Sequence, residues 1–275
     1  MLLSLRQLHT HEEYEACIAL QKEAWGENFS ECVPAAILMV AQKIGGVTAG
    51  AFDANGKLLG FVFGLTGVKE GRLVHWSHML AVRKGNRGQG IGRRLKLYQR
   101  ERLLELGIEI AYWTYDPLVA RNAHLNLNKL GTRIQEYVPD MYLDDSGSDL
   151  HRGIGMDRFI VEWPIADKRV QQAISGKLQS ADFRLTQAPV VNTELRKDGT
   201  PVPIERKLPT NQAVQVEIPF NIESIQEGSL KLAAKWRANT KRAFFWYLDK
   251  AYKVTAFYRE PKSNRCFYIL VSNIE

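Results

Sequence analysis

Val82-Arg83-Lys84-Gly85-Asn86-Arg87-Gly88-Gln89-Gly90-Ile91-Gly92-Arg93-Arg94 is the stretch that decides how this chain folds. An apolar run, Arg72 to Val82, precedes it and reads as a strand. A charged segment with helical spacing, Gly90 to Glu105, follows it. The first amides of a helix lack internal acceptors, and the helix dipole adds partial positive charge there. Glycine lets a ligand come close to that main chain. Arg83, Lys84, Arg87, Arg93, Arg94 and Lys96 form the densest basic cluster of the sequence, interleaved with these glycines. The combination predicts a local site for phosphate or pyrophosphate.

Two common phosphate loops do not match. A Walker loop requires Lys-Ser or Lys-Thr after the last glycine, and Arg93 stands there instead. The dinucleotide fingerprint is GxGxxG, whereas Gly88, Gly90 and Gly92 give GxGxG. Several strands also precede the motif, while a dinucleotide-binding unit opens with it.

Working outward, Leu2 to Arg6 reads as a strand. Thr10 to Trp25 reads as a helix opened by a capping box, Thr10 with Glu13. Pro34 to Gln42 suggests a short helix. Gly45 to Ala54 and Lys57 to Thr66 read as strands joined by a two-residue turn, Asn55-Gly56. Beyond the motif come a strand (Glu109 to Tyr115), a helix (Leu118 to Leu130) and two strands (Arg133 to Tyr142, Asp157 to Pro164). The polar loop Asp144 to Met156 has the length of a binding lid. Past Ile165 the pattern changes. A helix over Val170 to Ser180, a proline-bearing stretch over 186–215, a long helix over Ser229 to Lys250 and two closing strands are expected.

At the glycine motif the chain resembles the GNAT N-acyltransferases, whose signature is (R/Q)xxGxG/A after an apolar strand ending in Ala-Val. Arg87-Gly88-Gln89-Gly90-Ile91-Gly92 matches it, preceded by Met79-Leu80-Ala81-Val82. The element order β-α-α-β-β-β-α-β-α-β-β over residues 2–164 matches as well. The resemblance implies an α/β (α+β) fold with a mixed, mostly antiparallel sheet for residues 1–164. Residues 165–275 then form a smaller C-terminal α+β region that covers the core or makes a homodimer interface, similar to a bacterial and archaeal branch with such an extension.

The resemblance also implies an acyl-CoA cofactor. Arg87, Gly88, Gln89, Gly90, Ile91, Gly92 and Arg93 would hold the pyrophosphate. Leu80, Ala81 and Val82 would lie along the pantetheine arm beside a bulge in their strand, and Asn122 would bind that arm from the following helix. Acyl transfer to an amine requires a base or a water relay for one proton. His78 matches the strand position where some relatives carry a histidine, with His75 as the second candidate. An imidazole titrates near neutrality, which suits a relay. The family's usual acid, a tyrosine, is replaced by Leu127, so either no dedicated acid is used or another group serves, with Tyr137 and Tyr142 as the substitute candidates. On the acceptor side, Asp140, Asp144, Asp145 and Asp149 suit an amine, while Arg152 and Arg158 suit a carboxylate.

The expected activity is transfer of an acetyl or succinyl group from acyl-CoA to a primary amine of a small molecule, an amino acid among them, without a metal. The alternative is a non-catalytic acyl-CoA sensor or scaffold, which the leucine at 127 favours. Composition agrees with this class. The chain has 275 residues, 45% hydrophobic and 24% charged, with a net charge of +7 that suits an anionic partner. Nucleic acid is not expected, because the basic residues form no long stripe and no DNA-binding motif is present. Three cysteines without CxxC spacing make a disulfide framework or zinc ribbon unexpected. No apolar run is long enough to cross a membrane, and the first residues do not read as a signal peptide, so a cytoplasmic location is expected.

Overall fold

In the computed structural model the described residues are 3–142, 154–178, 182–260 and 263–272. They form two compact units. Residues 3–113 and 162–167 belong to the first, and the remaining described residues to the second. The boundary therefore runs inside the segment that the sequence reading assigns to one domain.

The first unit begins with β1 (Ser4–Gln7) and α1 (His11–Trp25). Thr10 caps α1, and its side chain and that of Glu13 bond each other's backbone amides in the expected capping box. Such a cap contributes about 1 kcal/mol. α2 (Ala35–Lys43), β2 (Val47–Phe52), β3 (Leu58–Lys69) and β4 (Arg72–Val82) follow. The β2–β3 connection corrects the expected two-residue turn. Asp53 and Lys57 close the loop through their backbones at 3.0 Å, and Asp53 Oδ1 accepts from the amides of Asn55 and Lys57. Gly56 takes the left-handed position, φ 78°, of this longer hairpin.

α3 (Ile91–Glu105) and β5 (Ile110–Tyr115) come next. Within the unit the strand order is β1-β2-β3-β4-β5-β7, where β7 is Arg158–Pro164 and contributes residues 162–164. β1 to β4 are joined antiparallel, and β4 meets β5 in parallel. The core between α1, α2 and the sheet includes Tyr14, Cys17, Leu20, Leu38, Phe61, Phe63, Met79 and Ala81. Burial at this scale, about 25 cal/mol per Å² of apolar surface, carries the unit without staples.

In the second unit, α4 (Ala120–Ala123) continues as a π-helical turn, His124–Lys129. β6 (Arg133–Val138) lies next to β7 in the order β5-β7-β6. α5 is Lys168–Ile174. β8 (Thr193–Leu195) and β9 (Pro201–Pro203) form a short hairpin. β10 (Ala213–Ile218), α6 (Ile222–Gly228), α7 (Leu230–Asp249), β11 (Tyr252–Arg259) and β12 (Cys266–Ser272) complete it. β12 is the central strand of an antiparallel sheet, β10-β12-β11. Phe159, Phe244, Tyr268 and Phe257 pack ring against ring in this core, with centroids 4.8–5.5 Å apart. The order of elements from β1 to β7 is the one the resemblance implies. Among the described residues, no helix is long and apolar enough to cross a membrane.

Candidate active site

β4 carries the geometry of the site. Phe63 pairs with Met79 and Gly64 with Ser77, so His78 is an extra residue on β4. A bulge of this kind reverses which residues face each side of the sheet. Before it, His75 and Ser77 bond side chains of α3. After it, Met79 and Ala81 enter the α1–α2 core, and Leu80 and Val82 approach the first turn of α3. A Cβ on Gly92 would stand 3.7 Å from Leu80 Cδ2 and 3.8 Å from Val82 Cγ2. The Ala81 side chain is therefore core, which leaves only its backbone for a ligand.

β4 also leaves its other neighbour here. It pairs with β5 only at His75–Ala111 and Trp76–Tyr112. Among the described residues, the strand past Trp76 has a ladder partner on the β3 side alone.

The glycine loop that follows is open. Gly88 and Gly90 have φ 80° and 76°, the left-handed region that disfavours other residues. A Cβ on either would meet nothing within 4 Å. Gly90 caps α3 without a side-chain hydrogen bond, so the first-turn amides are left to an outside acceptor. Arg87 is exposed and donates Nε to the Val82 carbonyl at 3.2 Å. The residues present thus form a cradle with space at its floor and positive charge at its rim.

Not every basic residue of the sequence cluster serves that cradle. Arg83 pairs with Glu23 and also donates to the Leu58 carbonyl at 2.7 Å. Arg94 donates to the Leu3 carbonyl at 3.3 Å. Lys96 is 2% exposed, on the helix face that also buries Leu95, Gln99 and Leu103. Counting it with the phosphate cluster is corrected by this burial.

His78 is exposed, its ring edge-on to Phe63 at 6.1 Å. The neighbours that crowd it desolvate the imidazolium enough to lower its pKa, and Glu31 opposes that shift. A neutral imidazole at neutral pH can accept a proton. His75 differs. It is fully buried, and burial pushes its pKa down to about 3, with Lys96 adding to the effect. Its Nδ1 meets Thr66 Oγ1 at 3.2 Å, and its Nε2 meets Gln99 Nε2 at 2.9 Å. Thr66 donates its own proton to the Gly45 carbonyl at 2.6 Å, so Nδ1 is the nitrogen that bears hydrogen. A Cβ on Gly64 would lie 2.2 Å from His75 Nε2, so the ring occupies the space that this glycine leaves. The geometry makes His75 a wall residue, with both nitrogens engaged inside the protein.

The remaining candidates lie in the second unit. Asn122 is half-buried in the first turn of α4. Tyr137 donates to Asp157 Oδ2 at 2.6 Å, and burial with that carboxylate raises its pKa far above the usual phenol range. Such a phenol is a poor acid. Tyr142 shares a hydrogen bond with Thr114 Oγ1 at 3.2 Å, and the Arg158 guanidinium stands 5.4 Å from its ring centre. Arg158 is buried and donates to the Asp157 carbonyl at 2.9 Å, with Asp116 4.0 Å away. Asp140 is paired with Lys241 at 2.5 Å. Arg152, Asp144, Asp145 and Asp149 lie outside the described residues, as does most of the expected lid. Among the described residues no cluster of three His, Cys, Asp or Glu side chains is placed to hold a metal ion.

Among the solved structures similar to this chain are several acetyltransferases. One is the NatC complex bound to a Gag peptide and CoA, with 16% identity and TM-score 0.49 over 60% of this chain and 99% of that one. Another is the ribosomal-protein-S18-alanine N-acetyltransferase of Escherichia coli, with 18% identity and TM-score 0.46 over 60% and 94%. A third is yncA of Salmonella typhimurium with acetyl-CoA, with 15% identity and TM-score 0.47 over 61% and 96%. No family model matches the sequence, and comparison with curated proteins finds no relative. Sequence reasoning missed the inward turn of Lys96. The i, i+3, i+7 spacing of Lys96, Gln99 and Leu103 was the available signal.

Proposed function

We propose that this protein is a CoA-dependent N-acyltransferase of the GNAT type, moving an acetyl or similarly small acyl group to the primary amine of a small molecule. The observation that carries the reading is the open left-handed turn at Gly88 and Gly90, set before an uncapped helix and after a strand whose second edge is unpaired. Such a turn suits a diphosphate, which the amides of α3 and the Arg87 side chain would hold. A strand edge with free amides suits the amide-bearing arm of CoA. When bound, the cofactor supplies an activated thioester.

The chain's own residues then have two tasks. The loop and the β4 edge orient the donor. His78, neutral and exposed on the bulge, takes the proton that the acceptor amine sheds on attack, directly or through one water.

The test is release of free CoA thiol when the protein is mixed with acetyl-CoA or succinyl-CoA and a panel of primary amines. Amine-dependent release above the rate without protein supports the reading. Tight CoA binding with no release for any amine would favour a non-catalytic acyl-CoA sensor. Absence of binding would remove both.

A further inference from the structure

We propose that Lys96 is a positioning residue, whose amine staples the fork where β4 parts from β5 and so holds the bulged His78 and the Leu80–Val82 segment, laddered to β3 alone, in place. Its effect on turnover rests on the acyltransferase reading, whereas the fork itself does not.

The β4–β5 ladder ends at Trp76–Tyr112. The next residues along the two strands are Ser77 and Trp113. Lys96 touches both: its Nζ donates to Ser77 Oγ at 2.7 Å and lies 3.4 Å from the centre of the Trp113 ring. Ser77 is also the residue directly before the bulge. One buried amine therefore reaches both arms of the fork at the first residue past the ladder that joins them.

Lys96 forms no ion pair with a carboxylate among the described residues, and burial lowers its pKa well below the ordinary ammonium range. A methionine would fill similar space with less desolvation cost. What it would lack is donors. Lys96 also donates to Gln99 Oε1 at 3.2 Å, and Gln99 in turn donates to His75 Nε2. The amine is thus the end of a directed chain, Lys96–Gln99–His75–Thr66–Gly45, that ties α3 to β4 and β3. Without it, Ser77 is the contact through which the fork loosens.

The experiment compares Lys96→Met and Ser77→Ala with the wild-type full-length chain by amide hydrogen exchange and by thiol release. Ser77→Ala removes the same contact through a single hydroxyl, so it serves if the lysine variant does not fold. Exchange at 77–82 is expected to quicken about tenfold or more, while β2 amides keep their protection. Turnover is expected to fall about tenfold or more and KM for the acyl donor to rise, because the loosened edge is the one that orients the donor. Unchanged exchange at 77–82, or equal quickening across β2, would overturn the proposal. A wild-type chain that releases no thiol would sink the acyltransferase reading, while the exchange pattern would still decide the role of Lys96.

Discussion

Arg237 grips the carboxylate of Asp116 with both terminal nitrogens, Nη1 to Oδ1 at 2.9 Å and Nη2 to Oδ2 at 2.5 Å, in a setting where both side chains are less than one-tenth exposed. Asp116 Oδ1 also accepts from the Leu118 amide at 2.8 Å, and Arg237 Nε donates to the Ile154 carbonyl at 3.0 Å. The pair therefore links the turn after β5, the segment before β7 and helix α7 inside the second unit.

Removing one partner of such a pair leaves the other buried without its full set of bonds. Arg237→Ala is expected to destabilise the protein by about 3–5 kcal/mol. Urea denaturation followed by tryptophan fluorescence measures this. A loss below about 1 kcal/mol, the range of an exposed pair, would contradict the buried geometry.

His75 makes stability depend on pH. The unfolded chain takes up a proton near the ordinary imidazole value of about 6.5, while the folded imidazole resists protonation down to about 3. The unfolded state binds more protons across that window, so stability is greatest above it and falls as pH drops through it. The slope is about 1.4 kcal/mol per pH unit for one group. Melting temperatures of the wild type and His75→Gln between pH 6.5 and 5 should diverge in slope, the wild type falling faster. Parallel curves would mean that His75 is not sealed as described.

Gly90 is tested by charge and by shape. Gly90→Glu puts a side chain and a negative charge into the open cradle, and CoA affinity measured by calorimetry should drop by about a hundredfold or more. Gly90→Ala carries the left-handed penalty of about 1–2 kcal/mol without the charge, and should lower the melting temperature more than the affinity. Wild-type affinity in the glutamate variant would move the anion site elsewhere.

His78→Ala should slow turnover about a hundredfold, with CoA affinity retained. The acid limb of the wild-type kcat/KM profile should lie below pH 6.5, since desolvation lowers this imidazole's pKa. That limb should vanish in the variant. A rate profile that keeps its acid limb would hand the proton to another group.

The sequence made some of these features legible and hid others for physical reasons. The capping box at Thr10 and Glu13, the strand Arg72–Val82 and the uncapped glycine entry to α3 are local signals, fixed by residues within one turn of each other. A bulge in this strand follows from the resemblance, but its place at His78 is not a local signal. It exists because Met79 and Ala81 fit one core while Leu80 and Val82 meet α3, a choice that alternation along one strand does not reveal. Lys96 misleads in the same way, since a lysine beside arginines reads as surface until the helix is docked. Tyr137 reads as a free phenol until β6 brings it to Asp157.

The extra residue in β4 has a consequence for how this protein tolerates change. Replacing a side chain on that strand perturbs one neighbourhood. Deleting His78 would leave Ser77 and Met79 adjacent and still opposite Gly64 and Phe63, so the downstream residues would keep their faces while the extra side chain and the local break in the ladder were lost. A one-residue change elsewhere in the regular part of β4 is what would turn the faces over, so the strand tolerates a change of length only at its bulge.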